Sequence, residues 1–105
     1  MTTYVISVPG TFTGAVGQDT QAELVRALRP ADPRHTRLGN EADLDVLSVN
    51  DDGTFTARVT IDADSGPEAE REARRYAEAA LDAVGLDRNN APLGPAVITG
   101  IDSDE

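Results

Sequence analysis

The sequence predicts one α+β domain in which four strands and two helices follow one another over residues 1–105. Residues 54–61 alternate apolar and polar side chains without interruption, which is typical of a strand with one buried face. Residues 65–85 carry apolar side chains at helical spacing. A chain of this length has room for one hydrophobic core, so the prediction is a single domain that ends in a short acidic tail, 102–105.

The first third of the chain predicts a strand and then a helix. Residues 4–8 place apolar side chains at a period of two, as a strand does, and Pro9 with Gly10 is predicted to end that strand. A helix is predicted to open over residues 19–23, because Thr20 and Glu23 have the spacing of a capping box. Pro30 prevents the helix from continuing, and the polar stretch that follows to residue 43 predicts a long loop.

The middle of the chain predicts a β-hairpin. Residues 44–49 and 54–61 both have strand-like patterns, and the Asn-Asp-Asp-Gly sequence at 50–53 joins them. Asn, Asp and Gly tolerate the positive φ angles that tight hairpin turns need. Two antiparallel strands are therefore expected here.

The last third predicts a helix and a final strand. Ser65 and Glu68 have capping-box spacing, and Pro67 lies in the first turn, where its missing amide costs nothing. Gly85 is placed to end the helix in a Schellman motif. The apolar run 96–101 then predicts the fourth strand.

This order of elements resembles the ferredoxin-like βαββαβ arrangement, a two-layer sandwich. The resemblance implies a four-stranded antiparallel sheet with two helices on one face. The alternative is an α+β domain with other strand pairing. The topology hosts many unrelated activities, so it predicts no function by itself.

Composition excludes several functional classes. The chain has no Cys, so disulfides, thiolate metal sites and a cysteine nucleophile are excluded. Its formal net charge of −10 repels phosphate backbones and anionic lipids, which predicts no nucleic-acid and no membrane partner. There is no signal-like or membrane-spanning apolar run, so a cytoplasmic location is expected. No GxSxG, HExxH or SxxK motif is present, and no metal site or cofactor is predicted.

The charge is uneven along the chain. Residues 26–37 hold four arginines and one aspartate, a net +3 in a chain of −10. Arginines can clamp carboxylates or phosphates, and the single histidine lies among them as a possible proton carrier. Alternatively, these arginines neutralise carboxylates of the same chain or of a second copy. The candidate binding residues are Arg26, Arg29, Arg34, His35 and Arg37.

A glycine-rich segment, 9–17, separates the first strand from the first helix, as in phosphate-binding loops. The match ends there, because Gly17 is followed by Gln18 and Asp19 rather than by Lys and Ser or Thr. A flexible connection is the favoured interpretation, and a backbone nest for a small carboxylate or amide is the alternative.

The outward face of the predicted sheet is small and rich in hydroxyl groups. Antiparallel sheets tolerate such a face in water, yet it can also pair with a second sheet. Both interpretations stay open. The residues predicted on this face are Val5, Ser7, Val46, Ser48, Thr56, Arg58 and Thr60.

Three functional hypotheses follow. The leading one is a non-catalytic protein-interaction or homodimerisation module, with residues 26–37 as the positive half of the contact. The first alternative is a small regulatory domain that binds an anionic metabolite between segments 9–17 and 26–37. The second is a small enzyme that uses His35 with Arg and carboxylate partners. Whether the chain is an enzyme stays open, and the sequence favours a non-enzyme.

Overall fold

In the part of the chain that the structure describes, four strands and two helices follow one another in the predicted order. A computed structural model describes residues 2–14, 16–29, 46–86 and 89–102. The elements are β1 (Thr2–Thr11), α1 (Gln18–Leu28), β2 (Leu47–Val49), β3 (Thr54–Ala63), α2 (Gly66–Ala83) and β4 (Val97–Asp102). The sheet has the order β2-β3-β1-β4, and all neighbouring strands are antiparallel. The α+β arrangement with ferredoxin-like strand order is confirmed.

The hydrophobic core lies between the sheet and the helices. Alternate residues of β1 and β3 point into it, beginning with Tyr4 and Phe55, as a side-chain period of two requires. From α2 the core receives mainly alanines, whose small side chains let this helix lie close to the sheet. Leucines supply most of the bulk from the helices. The buried helical residues are Leu24, Leu28, Ala69, Ala73, Ala77, Ala80 and Leu81.

The ends of α2 confirm the predicted caps. The Ser65 hydroxyl accepts a hydrogen bond from the Glu68 amide at 3.4 Å, which satisfies one free amide of the first turn. At the other end, the Gly85 amide donates to the Asp82 carbonyl at 3.0 Å, and the Leu86 amide donates to the Leu81 carbonyl at 2.8 Å. These two bonds are the Schellman pattern.

The predicted capping box of α1 is wrong. The helix begins at Gln18 with Gly17 as its N-cap, and no side chain caps it. Thr20 therefore lies inside the first turn, where it cannot act as the N-cap. Asp19 in that turn interacts favourably with the positive end of the helix dipole.

Strand β1 is longer than the predicted 4–8, and Pro9 does not end it. Pro9 is paired with Thr56 of β3, while its carbonyl accepts from the Gly94 amide at 2.8 Å on the other side. In an antiparallel strand, the N–H and C=O of one residue point to the same side. The amide hydrogen that proline lacks would therefore point towards Gly94 and not towards β3. No hydrogen bond to β3 is lost at Pro9, so the pairing of β1 with β3 continues past this residue.

Strands β2 and β3 form the predicted hairpin. The Asn50 amide donates to the Thr54 carbonyl at 2.8 Å, and the Gly53 amide donates to the Asn50 carbonyl at 3.1 Å. Gly53 has a φ of 89°, which glycine adopts readily. This is a three-residue hairpin loop with glycine in the left-handed position.

Candidate functional site

The arginine segment is only partly described. Arg26 and Arg29 lie at the carboxyl end of α1, and both are exposed. Arg34, His35 and Arg37 lie outside the described residues. The predicted binding role of this segment and the proposed use of His35 in catalysis therefore stay predictions.

The described part of the glycine-rich segment is tied to neighbouring carbonyl groups. The Phe12 amide donates to the Gly53 carbonyl at 2.8 Å, and the Thr13 amide donates to the Asn90 carbonyl at 2.9 Å. The Thr13 hydroxyl also donates to the carbonyls of Asn89 and Asn90. Because these donors already have acceptors, they hold the loop in place and are not free for an anion. This supports the interpretation of the glycine-rich segment as a connection between β1 and α1.

The last residue of that segment and the described arginines lie at opposite ends of α1. Gly17 caps the amino end of the helix, whereas Arg26 lies in its last turn. Nine residues of helix span about 14 Å at 1.5 Å per residue. Arg26 and Arg29 therefore do not line one site with Gly17, and an anion site between the two segments would depend on residues 30–45.

Two of the described carboxylates, those of Asp52 and Asp62, serve local structure. Asp52 accepts hydrogen bonds from the amide and hydroxyl of Thr54, and these bonds lower its pKa below the ordinary value. The Thr3 hydroxyl donates to Asp62 across the β1–β3 pair. Within the described residues, no three His, Cys, Asp or Glu side chains come together as a metal-binding group.

Two clefts flank the helix α2. One, of about 280 Å³, lies between its carboxyl end and residues 89–93, with Leu81 at its base and Glu78 and Asp82 at its rim. The other, of about 340 Å³, is a shallow cleft beside the start of β4. Arg74 reaches from this cleft to the Leu93 carbonyl, to which its guanidinium donates at 3.3 Å. The second cleft is lined by Pro67, Glu70, Arg71, Arg74, Pro95 and Ala96.

The sheet face away from the helices is small and polar, with one correction. Ser48 pairs with Thr56 on this face, and Val5 lies there fully buried beside Thr60. Val46 was predicted to share this face but is a core residue, only 7% exposed. Val46 precedes β2, and its carbonyl still accepts a hydrogen bond from the Arg58 amide of β3 at 2.8 Å. Because it lies outside the regular β2–β3 pairing, the alternation of the strand does not fix the side of its side chain.

Strand β4 is the most exposed apolar part of the described chain. It forms one edge of the sheet, and Val97 and Ile101 are 52% and 57% exposed. A β-bulge at Thr99 shifts the register with β1, and the Thr99 hydroxyl donates to the Val5 carbonyl at 3.2 Å. The bulge changes which residues share a face.

The apolar pattern of residues 96–101 predicts this strand but does not by itself place it at an edge. An apolar run such as 96–101 is equally typical of a central strand, because edge position depends on strand order. One signal was available, since a glycine within a strand pattern often marks a bulge, and Gly100 lies next to this one.

Comparison with known proteins found no matching family model, no similar curated protein and no similar solved structure. The fold is assigned here from element order and strand pairing. In the described part of the chain, no helix combines the length and the apolar character needed to cross a membrane.

Proposed function

We propose that this protein is a small non-catalytic protein-interaction module that docks through the edge of β4. The observation that carries the proposal is the exposure of Val97 and Ile101, at 52% and 57%, on the outermost strand of the sheet. Large apolar side chains on an edge strand are unusual in a protein that stays alone in water, because such an edge promotes pairing with another chain.

The main chain of β4 supports the same proposal. In the described part of the sheet, β4 pairs with β1 on one side only, so its other side offers amide and carbonyl groups to a partner. Addition of a strand at such an edge is a common mode of protein recognition, in which main-chain bonds give affinity and side-chain contacts give specificity. Val97 and Ile101 flank this edge on its two faces.

The proposal is tested by site-specific photocrosslinking in the cells that naturally make the protein. A benzoylphenylalanine at position 97 or 101 is expected to give a discrete protein adduct. The same residue at position 72, an exposed glutamate on the outer side of α2, is the control and should give none. Absence of an adduct at both 97 and 101 would refute docking through β4.

A further inference from the structure

We infer that the cleft at the carboxyl end of α2 binds a protonated alkyl amine, that is, an ammonium group on an aliphatic stem. We call this cleft, of about 280 Å³, the acidic cleft. The inference goes beyond the proposed function, because it adds a second binding site and does not depend on docking through β4. It follows from the negative charges at the rim of the cleft and from its apolar base.

The carboxyl end of α2 departs from the usual charge pattern of helices. The last turn of a helix carries the negative end of the helix dipole, which favours basic side chains there. Helix α1 follows this pattern, with Arg26 in its last turn. Helix α2 has no basic residue in its last turn and has Asp82 there instead. This carboxylate therefore lies where the dipole disfavours a negative charge.

A second carboxylate adds to the negative charge at this end. Glu78 lies one turn before Asp82, and like charges four residues apart on a helix repel each other. Both residues line the acidic cleft. The helix dipole and the two carboxylates thus place three sources of negative potential around one cleft.

The described chain does not neutralise this potential. In the part of the chain that the structure describes, no ion pair joins a basic side chain to Glu78 or Asp82. Arg74 lies one turn before Glu78, but its guanidinium donates to the Leu93 carbonyl. Residues 87–88 lie outside the described part and add no net charge, because one is an aspartate and the other an arginine. The negative potential of the cleft is therefore available to an external cation.

The base of the acidic cleft is apolar. Leu81 and Ala91 are 3% and 2% exposed, and the half-buried Leu86 and Leu93 also line the cleft. A metal ion requires several oxygen ligands, and the described residues contain no group of three His, Cys, Asp or Glu side chains that could hold one. An aliphatic chain is stabilised on an apolar surface because it leaves water. An aliphatic stem with a positively charged end is complementary to both parts of the cleft.

The size of the cleft and the position of its carboxylates also suit such a ligand. Its 280 Å³ correspond to about nine water molecules at about 30 Å³ each. This is enough for a chain like a lysine side chain, whose ammonium is a compact charge on a flexible stem. Glu78 is half-buried and Asp82 is exposed, so the ammonium would keep part of its hydration and avoid the cost of full burial.

The test is a titration with n-pentylamine at neutral pH and low salt, followed by NMR of the leucine methyl groups. Saturable shifts are expected for Leu81, Leu86 and Leu93, which line the cleft, and not for Leu24 of α1. 1-Pentanol has the same stem without the charge and should bind about fivefold more weakly or worse. Pentanoate carries the opposite charge and should give no saturable shift.

The variant E78Q/D82N removes both charges and nearly preserves the shape of the cleft. Its affinity for n-pentylamine should fall about fivefold or more, to that of 1-pentanol. We expect this variant to fold, because it relieves the repulsion between like charges at a helix end. The matched control is D19N/E23Q, which makes the same two changes at the same spacing on exposed residues of α1 and should leave the affinity unchanged.

Four outcomes would overturn the inference. They are the absence of shifts at the leucines of the cleft, equal affinity for 1-pentanol and n-pentylamine, equal affinity of E78Q/D82N and the wild type, and equal weakening by D19N/E23Q. None of them affects docking through β4, because photocrosslinking at positions 97 and 101 does not involve the cleft.

Two further titrations identify the source of the amine. Nα-acetyl-lysine N-methylamide represents a lysine side chain of a polypeptide, and 1,5-diaminopentane represents a free amine. Tighter binding of the lysine derivative assigns the cleft to a partner protein, and tighter binding of the diamine assigns it to a small molecule. Binding of either compound supports the inference, and failure of both to bind overturns it.

Discussion

Gly10 shows how a single residue fixes the packing at one end of the sheet. The rings of Phe12 and Phe55 stack with centroids 4.3 Å apart at 20°. A Cβ atom at Gly10 would lie 2.3 Å from Cζ of Phe55 and 2.9 Å from Cδ2 of Leu93. Only glycine lets the Phe55 ring lie on the β1 backbone. This glycine serves close packing, not the ligand binding that glycine-rich loops often provide.

Replacing Gly10 with alanine should therefore destabilise the fold. Crowding of a packed core costs about 1–3 kcal/mol, and we expect Gly10→Ala to lower the free energy of unfolding by that amount. Urea denaturation followed by circular dichroism measures it. Gly14→Ala is the control, because a Cβ at Gly14 has no atom within 4 Å. Equal stability of the two variants would contradict the packing argument.

At the scale of the element, the two helix starts look alike in sequence and differ in structure. Thr20 with Glu23 and Ser65 with Glu68 have the same spacing, yet of these two hydroxyl residues only Ser65 acts as an N-cap. The spacing of these residues indicates that a capping box is possible. Whether the box forms depends on the residue at which the helix begins. The N-cap of α1 is Gly17, which lies three residues before the Thr20 that the capping box requires.

This difference predicts unequal effects of two alanine substitutions. Ser65→Ala removes the acceptor of the Glu68 amide and should lower the free energy of unfolding by about 1 kcal/mol. Thr20→Ala removes no cap and should change stability by less than about 0.5 kcal/mol. Thermal and urea unfolding of both variants measure the difference. A larger loss from Thr20→Ala would show that α1 is capped by its side chain after all.

A hydrogen bond joins the two helices. The Tyr76 hydroxyl of α2 donates to the Ala27 carbonyl of α1 at 3.1 Å, and burial raises the pKa of Tyr76 above its ordinary value of 10.0. An ionised tyrosine cannot donate this bond. Because the folded pKa is higher than the unfolded one, the stabilisation is complete below about pH 10 and is lost as pH rises through the folded pKa.

Tyr76→Phe tests this linkage. At pH 7 the variant should be less stable than the wild type by about 1 kcal/mol, the usual contribution of one hydrogen bond. Above about pH 10 the difference in the free energy of unfolding should shrink, because the wild type loses its donor and the variant has none. Urea titrations across this range give both values. A difference that is constant with pH would contradict the assigned role.

For the whole molecule, the net charge of −10 opposes folding through self-repulsion. Added NaCl screens exposed charges, with a Debye length of about 8 Å at physiological ionic strength. We expect the urea midpoint to rise with NaCl between low and moderate concentrations.

The control for this prediction is E72R/D82R, which replaces two exposed acidic residues of α2 and raises the net charge to −6. Its midpoint should depend less on salt than that of the wild type. An identical salt dependence in both proteins would show that specific ion effects, not net charge, govern the response.

Strand and helix order were predictable because each element carries its own periodicity and end signals. The strict alternation of 54–61, the Ser65 cap and the Gly85 ending depend on residues close in sequence, and the structure has all three. The predicted outward position of Val46 is wrong because this residue lies just before the regular β2–β3 pairing that would fix its face. The sequence predicts a strand end at Pro9, and this is wrong because the direction in which its missing amide would point depends on the neighbouring strands.

The sequence by itself determined the composition of the core, the α+β class and the local turns and caps, because these depend on side-chain patterns within about twenty residues. Tertiary structure alone decided how far β1 extends past Pro9, where the bulge of β4 lies and which side chains are exposed on that strand. Those features depend on contacts between segments far apart in the chain. Thr3, for example, joins Asp62 and Asp102 in one row of the sheet, and no local pattern encodes that row.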